Sequence, residues 1–335
     1  MLKDCDNFVK YVIKQEESNL KEQWMQKTGV VWFLAMICCL LWGSAFPCIK
    51  LGYGFSEIAA GDTASQILYA GMRFTLAGVA AITIGSIMKR KFIYPQAEAV
   101  PKVLSLSLFQ TVLQYMFFYI GLAHTTGVKA SIIEGMNVFV VVFVSGVLLK
   151  MEHVGAGKII GCIIGFAGVV LVNITGSGID MNMHLNGEGF ILLSTVAYAF
   201  SSVLLKRYSK KYDPVMLSGY QFIIGGVIMT AAGLILGGHI KLAGAASVAM
   251  LIYLALVSAV AYSLWGILLK YNPVSKVSVF GFMNPVFGVL LSAVLLREDS
   301  SLGINAIIAL VLVCAGIYIV NKAPGKKLRK IRSDK

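Results

Sequence analysis

Two stretches of the 335-residue chain decide its architecture when laid side by side: Lys129–Lys150, KASIIEGMNVFVVVFVSGVLLK, and Lys276–Arg297, KVSVFGFMNPVFGVLLSAVLLR. Lys129/Lys276, Ser131/Ser278, Met136/Met283, Asn137/Asn284, Ser145/Ser292 and the Val-Leu-Leu runs at 147–149 and 294–296 coincide at a shift of 147, which also pairs Tyr115 with Tyr262. A shift of 148 lays Gly71, Phe74, Gly78, Val79 and Gly85 on Gly219, Phe222, Gly226, Val227 and Gly233. It lays Ala167, Gly168, Val172 and Asn173 on Ala315, Gly316, Val320 and Asn321. Self-similarity at one period along most of a chain marks two copies of a structural unit.

The solvent of that unit follows from composition. Hydrophobic residues make up 58% of the chain and charged ones 13%, about half the share of a soluble domain. Mean hydropathy is +0.79. A membrane helix needs about 20 mostly apolar residues. Ten stretches qualify, near 29–49, 65–88, 102–122, 127–149, 158–175, 187–206, 214–236, 247–269, 274–296 and 302–321. The expected fold is all-α and integral to the membrane, with ten transmembrane helices in two inverted five-helix repeats, 29–175 and 187–321. These are flanked by a hydrophilic N-terminal tail, 1–28, and a basic C-terminal tail, 322–335.

The charge tests this division. Net charge is +13, and a basic face on a soluble fold would raise nucleic-acid binding, but here the cations lie between apolar stretches. Ten spans put both tails on one side. That side then holds 24 of the 29 lysines and arginines, against four on the other, with Arg73 inside a span. Such a bias places both termini in the cytoplasm, in a plasma membrane of bacterial type. The first 28 residues lack the apolar core of a signal peptide. The six cysteines contain no C-x-x-C pair and suggest neither disulfides nor zinc. Five helices per copy is an odd number, so the second copy enters the bilayer from the opposite side. Inverted repeats of this kind belong to alternating-access carriers, with the binding site near the midplane between the halves.

The stretch Leu41-Trp42-Gly43-Ser44-Ala45-Phe46, the pair Arg73-Phe74 and the run AYSLWGILLKYNPVSKVSVFGFMNPVFGVLLSAVLLRE at 261–298, taken with the duplication, resemble the EamA-like branch of the drug/metabolite transporter superfamily. The resemblance covers about residues 29–321. It implies a ten-helix carrier of small organic solutes, often an exporter of amino acids, other metabolites or drugs. Val138 stands where Pro285 would lead one to expect a proline, and the acid Glu134 lies one turn earlier.

Ionisable groups inside spans are expensive and face protein or water. Arg73 and Glu134 are the two that stand out. Either Arg73 binds a substrate carboxylate or phosphate while Glu134 binds an amine or exchanges a proton, or the two form a structural ion pair. Their repeat counterparts are Gln221 and Gly281, so charge occurs in the first copy only. Asn137 and Asn284 form an equivalent pair, able to bind substrate or to hydrogen-bond between helices. Tyr115 and Tyr262, followed at i+3 by Phe118 and Trp265, can line a cavity or simply pack. Gln110 and Gln114 add polarity to the third span. Gly157, Gly161 and Gly165 mark close helix packing, within the bundle or across a homodimer. Glu152 and Glu298 read as solvated charges at helix ends.

Gly155-Ala156-Gly157-Lys158 lacks the spacing of a phosphate loop, and the four histidines form no metal motif. No cofactor, metal or catalytic residue is expected, and the partners are a small-molecule substrate and the lipid bilayer. The expected function is secondary active transport, most simply export of a small metabolite such as an amino acid or a drug-like amphiphile, with proton coupling at Glu134. Uptake or exchange is the alternative within transport. A membrane-embedded lipid-modifying enzyme is the alternative outside it.

Overall fold

The computed structural model describes residues 16, 19–20, 22–59, 61–125, 127–173, 184–242, 244–296 and 304–322. Glu298 and residues 323–335 of the C-terminal tail lie outside these residues. The apolar stretches fold as helices α1 (Thr28–Phe55), α2 (Thr63–Met88), α3 (Ala97–Leu122), α4 (127–148) and α5 (Ala156–Asn173) in the first copy. The second copy gives α6 (Leu185–Tyr208), α7 (Pro214–Ile235), α8 (Ala245–Tyr271), α9 (274–296) and α10 (Ile304–Lys322). No strand occurs among the described residues. Among the described residues seven helices are long and apolar enough to cross a bilayer, and α4, α5 and α10 contain the shorter apolar segments Ile132–Leu148, Ala156–Leu171 and Ile307–Lys322. Large apolar side chains such as Ile228, Ile252 and Val311 point outward, as lipid-facing residues do.

Local sequence sets the helix ends and breaks. Asp62 and Asp213 cap α2 and α7 by accepting the backbone N–H of Ser65 and Met216, each at 3.0 Å. In α9, Pro285 has no N–H to give, and the preceding residues Val279–Phe282 tighten into a 3₁₀ turn. Helix α4 also breaks, at Met136, although Val138 replaces the proline. Gly135 sits at that break, where a Cβ would meet Val169 of α5 at 2.7 Å.

The packing repeats itself when the two copies are exchanged. α2 lies against its counterpart α7, and α5 against α10. The contact of α1 with α8 is matched by that of α6 with α3, and α1 with α9 by α6 with α4. Individual residues obey the same rule. Gly71 abuts Thr230 while Gly219 abuts Ile82, and Gly78 abuts Ile223 while Gly226 abuts Thr75. Partner numbers fall on α7 as they rise on α2, so the equivalent helices run antiparallel. On α5, Gly161 meets the Gly316 carbonyl and Gly168 the Ala309 carbonyl, again antiparallel. Three glycines of α5 are thus occupied within the chain: Gly161 and Gly168 seat α10, and Gly165 seats the ring of Phe282.

Connections meet in two groups at the two ends of the bundle. At the end carrying the N-terminal tail, Lys89 pairs with Asp213 at 2.5 Å, Lys211 with Glu98 at 2.5 Å, and Asn272 donates to the Met25 carbonyl at 3.1 Å. At the far end, Lys241 pairs with Glu57 at 2.6 Å and Thr125 donates to Glu188 at 2.5 Å.

Replacing Gly226 with valine would drive its side chain into the Thr75 backbone and is expected to cost at least about 2 kcal/mol. Gly54→Ala, at a site with nothing within 4 Å of an added Cβ, should be neutral or stabilising. Thermal unfolding of the purified variants in detergent checks the contrast.

Candidate functional site

Between the two copies, residues of α1, α2, α3, α4, α6, α8 and α9 line a cavity of about 140 Å³. It lies toward the far end: Ile49 is late on α1, and Glu134 is early on α4, which starts at that end. Toward the tail end the interior is packed. Trp32 meets Phe280 edge-on at 5.2 Å, Trp42 meets Trp265 at 5.0 Å, and the Cys39 thiol donates to the Phe280 carbonyl at 3.2 Å.

The floor sits on the exchange axis, where equivalent residues touch each other. Tyr115 and Tyr262 share a hydroxyl–hydroxyl hydrogen bond of 2.7 Å. Phe74 and Phe222 stack with ring centroids 5.2 Å apart and planes 6° from parallel. Residues related by a twofold can contact one another only at the axis, so these pairs locate it.

Arg73 is buried, 4% exposed, and reaches the cavity from α2. Its Nε donates to Ser258 Oγ at 3.2 Å, and its guanidinium lies 4.7 Å from the centroid of the Phe74 ring. The counterpart Gln221 repeats the arrangement: its Oε1 accepts from Thr111 Oγ1 at 2.6 Å, and Thr111 is the repeat equivalent of Ser258. Glu134 lines the same cavity from α4. Among the described residues neither Arg73 nor Glu134 takes part in an ion pair. Gly281, the counterpart of Glu134, leaves room in the wall, and a Cβ there would lie 3.6 Å from Asn137 Oδ1.

Eight of the polar and aromatic side chains singled out in the sequence line this one cavity: Arg73, Gln114, Tyr115, Phe118, Glu134, Asn137, Tyr262 and Asn284. Gln221 and Trp265 do not. Gln221 is fully buried between α7 and α3, and Trp265, 1% exposed, packs behind Trp42. Trp42 and Phe46, both within the Leu41–Phe46 stretch, also line it, as does Tyr198, which no sequence signal marks and which α6 brings in only through tertiary packing. Three buried polar atoms on the lining have no partner: Trp42 Nε1, Gln114 Oε1 and Asn284 Oδ1. Buried polar groups without partners are costly, and one donor with two acceptors here can be satisfied by a polar ligand.

Glu152 is not the solvated end charge its position suggested. Its side chain is 10% exposed, and it accepts from Lys158 Nζ at 2.7 Å, Ser145 Oγ at 2.9 Å, Ser275 N at 2.9 Å and the Ser275 hydroxyl. Burial pushes its carboxyl up, but Lys158 and the Ser275 bonds outweigh burial and hold it below the usual carboxylate range.

An all-helical apolar bundle that keeps an arginine and a glutamate inside one internal cavity has the construction of a membrane transporter. The chain belongs to the EamA-like transporter family, whose sequence profile matches residues 29–174 and again 185–322. An "Uncharacterized transporter" of Archaeoglobus fulgidus is 27% identical over 289 residues, covering 86% of this chain and 98% of that protein. The "Uncharacterized transporter YvbV" of Bacillus subtilis is 25% identical over 302 residues, covering 89% and 93%. A solved structure described as "Crystal structure of protein" superposes with a TM-score of 0.71 over 87% of this chain and 96% of that one, at 18% identity, a likeness of fold. These names speak for a transporter rather than an enzyme.

Two measurements follow from the site. Tyr115→Phe and Tyr262→Phe should each lower stability by about 1 kcal/mol, and the double variant by no more than either alone, because both remove the same bond. Glu152 has a lowered folded-state pKa, so its contribution is complete above the usual carboxylate range and is lost as pH falls through the lowered value. Thermal melts on acidification should show a loss in the wild-type protein that is smaller in Glu152→Gln.

Proposed function

We propose that the protein is a secondary active carrier with ten transmembrane helices in two inverted five-helix repeats and both termini in the cytoplasm. It exports a small metabolite of the amino-acid type by exposing the cavity alternately to the two sides of the membrane. The antiparallel packing of α2 on α7 and α5 on α10, and the exchange of contacts between copies, support the inverted arrangement. The grouping of connections at two ends supports an even number of crossings.

The observation that carries the functional reading is the presence of Arg73 and Glu134 in one cavity without an ion pair between them. A substrate with a carboxylate and an amine satisfies both. The carboxylate takes the guanidinium, whose geometry suits it, and the amine takes Glu134 with the amide oxygens of Asn137 or Asn284. Trp42, Phe46, Phe118 and Tyr198 offer apolar and aromatic surface to the rest of the molecule. Glu134, the one acid on this lining, is the group through which a proton gradient is coupled.

Flux of a panel of amino acids and related zwitterions into and out of proteoliposomes tests the reading. Arg73→Gln should lose at least about tenfold in transport of carboxylate-bearing substrates, and Glu134→Gln should lose the response to a pH gradient. Undiminished flux in folded Arg73→Gln protein would sink the assignment of that residue. Transport only in the inward direction would overturn export and leave the carrier in place.

A further inference from the structure

The tail end of the bundle holds a charged cluster that the transport site does not use. The Glu152 carboxylate, in the link between α4 and α5, gathers donors from three helices: Ser145 on α4, Lys158 on α5, and both the N–H and the hydroxyl of Ser275 on α9. The Lys158 and Glu152 side chains are 7% and 10% exposed. Ser145 and Lys158 belong to the first copy and Ser275 to the second, so the carboxylate ties one repeat to the other.

The segment it holds is the one that closes the cavity on that side. From Ser275 the chain runs directly into Val279–Phe282, the 3₁₀ turn ahead of Pro285. Phe280 and Phe282 are fully buried there, Phe280 against Trp32 at 5.2 Å and Phe282 against Phe139 at 6.2 Å. Gly281, Asn284 and Pro285 form the cavity lining immediately above. Movement of this part of α9 away from α4 and α5 would open a path from the cavity to the tail end, and it would break the bonds between Glu152 and Ser275. A buried ion pair adds little net stability over an apolar replacement, because desolvation consumes most of its attraction. Its value lies in choosing between arrangements.

We infer that Glu152 is the latch of the tail-side gate: while its carboxylate holds Ser275, the cavity is sealed toward the tail end and open toward the far end, and release of Ser275 lets the tail side open. The inference rests on the carrier reading and adds a positioning residue outside the cavity.

Labelling from each side tests it. Ala45, on the cavity lining, is changed to cysteine in a background lacking the six native cysteines. An impermeant maleimide is then applied to intact cells and to inverted membrane vesicles. The parent should react from the outer, far side. With Glu152→Gln, and independently with Ser275→Ala, reaction from the tail side should rise about fivefold or more while far-side reaction falls. Size-exclusion chromatography confirms that each variant is folded. If the parent reacts from the far side and both folded variants keep that pattern, the latch is overturned and the carrier reading stands. If the parent reacts from neither side or equally from both, the alternating-exposure reading fails and takes the latch with it.

Discussion

Two helices that must touch backbone to backbone leave no space for side chains, and this constraint at the α2–α7 contact organises the rest of the protein. Gly71, Gly78, Gly219 and Gly226 let the pair approach until each glycine faces main chain or side chain of its counterpart helix. In a bilayer, where apolar burial gives helices no preference for one another over lipid, such close van der Waals packing is a main source of association. Because the contact is made between equivalent helices, it fixes the exchange axis. The axis in turn fixes Phe74 on Phe222 and Tyr115 on Tyr262, and the tyrosine pair lines the cavity.

Symmetry of backbone and asymmetry of charge divide the work. Ser258 and Thr111 offer hydroxyls at equivalent places, but one meets an arginine and the other a glutamine. The same framework therefore presents a cation to the cavity from one copy and a closed, neutral contact from the other. At the position equivalent to Glu134 the second copy has only Gly281, so the acid too lacks a charged counterpart. Duplication supplies the scaffold, and a few unmatched residues supply the chemistry.

Much of this was legible in the sequence because membrane folding leaves few alternatives. Helix positions follow from the length of apolar runs, and the repeat follows from Asn137/Asn284, Tyr115/Tyr262 and the glycine series. The expectation that Arg73 and Glu134 matter rested on the expense of burying charge, and both line the cavity. What the sequence hid depends on helix direction and tertiary partners. Trp265 has the same spacing as Phe118, but α8 runs opposite to α3, so three residues onward lead to the packed tail side instead of the far-end cavity, and Gln221 faces α3 instead of the cavity. Tyr198 gives no periodic signal. Glu152 looked like an ordinary helix-end acid because its principal partner, Ser275, is 123 residues away.

The bond between Tyr115 and Tyr262 is a contact between like groups, and it cannot itself be symmetric. A single hydrogen lies between the two oxygens, so one phenol is donor and the other acceptor, and the acceptor's own hydrogen must point elsewhere. At the centre of a nearly twofold molecule there is thus a two-valued element whose orientation reverses by rotation of two hydroxyls, with no movement of any heavier atom. Either phenol can be the donor, so a framework of two equivalent copies carries at its centre a bond that must favour one copy or the other at any moment.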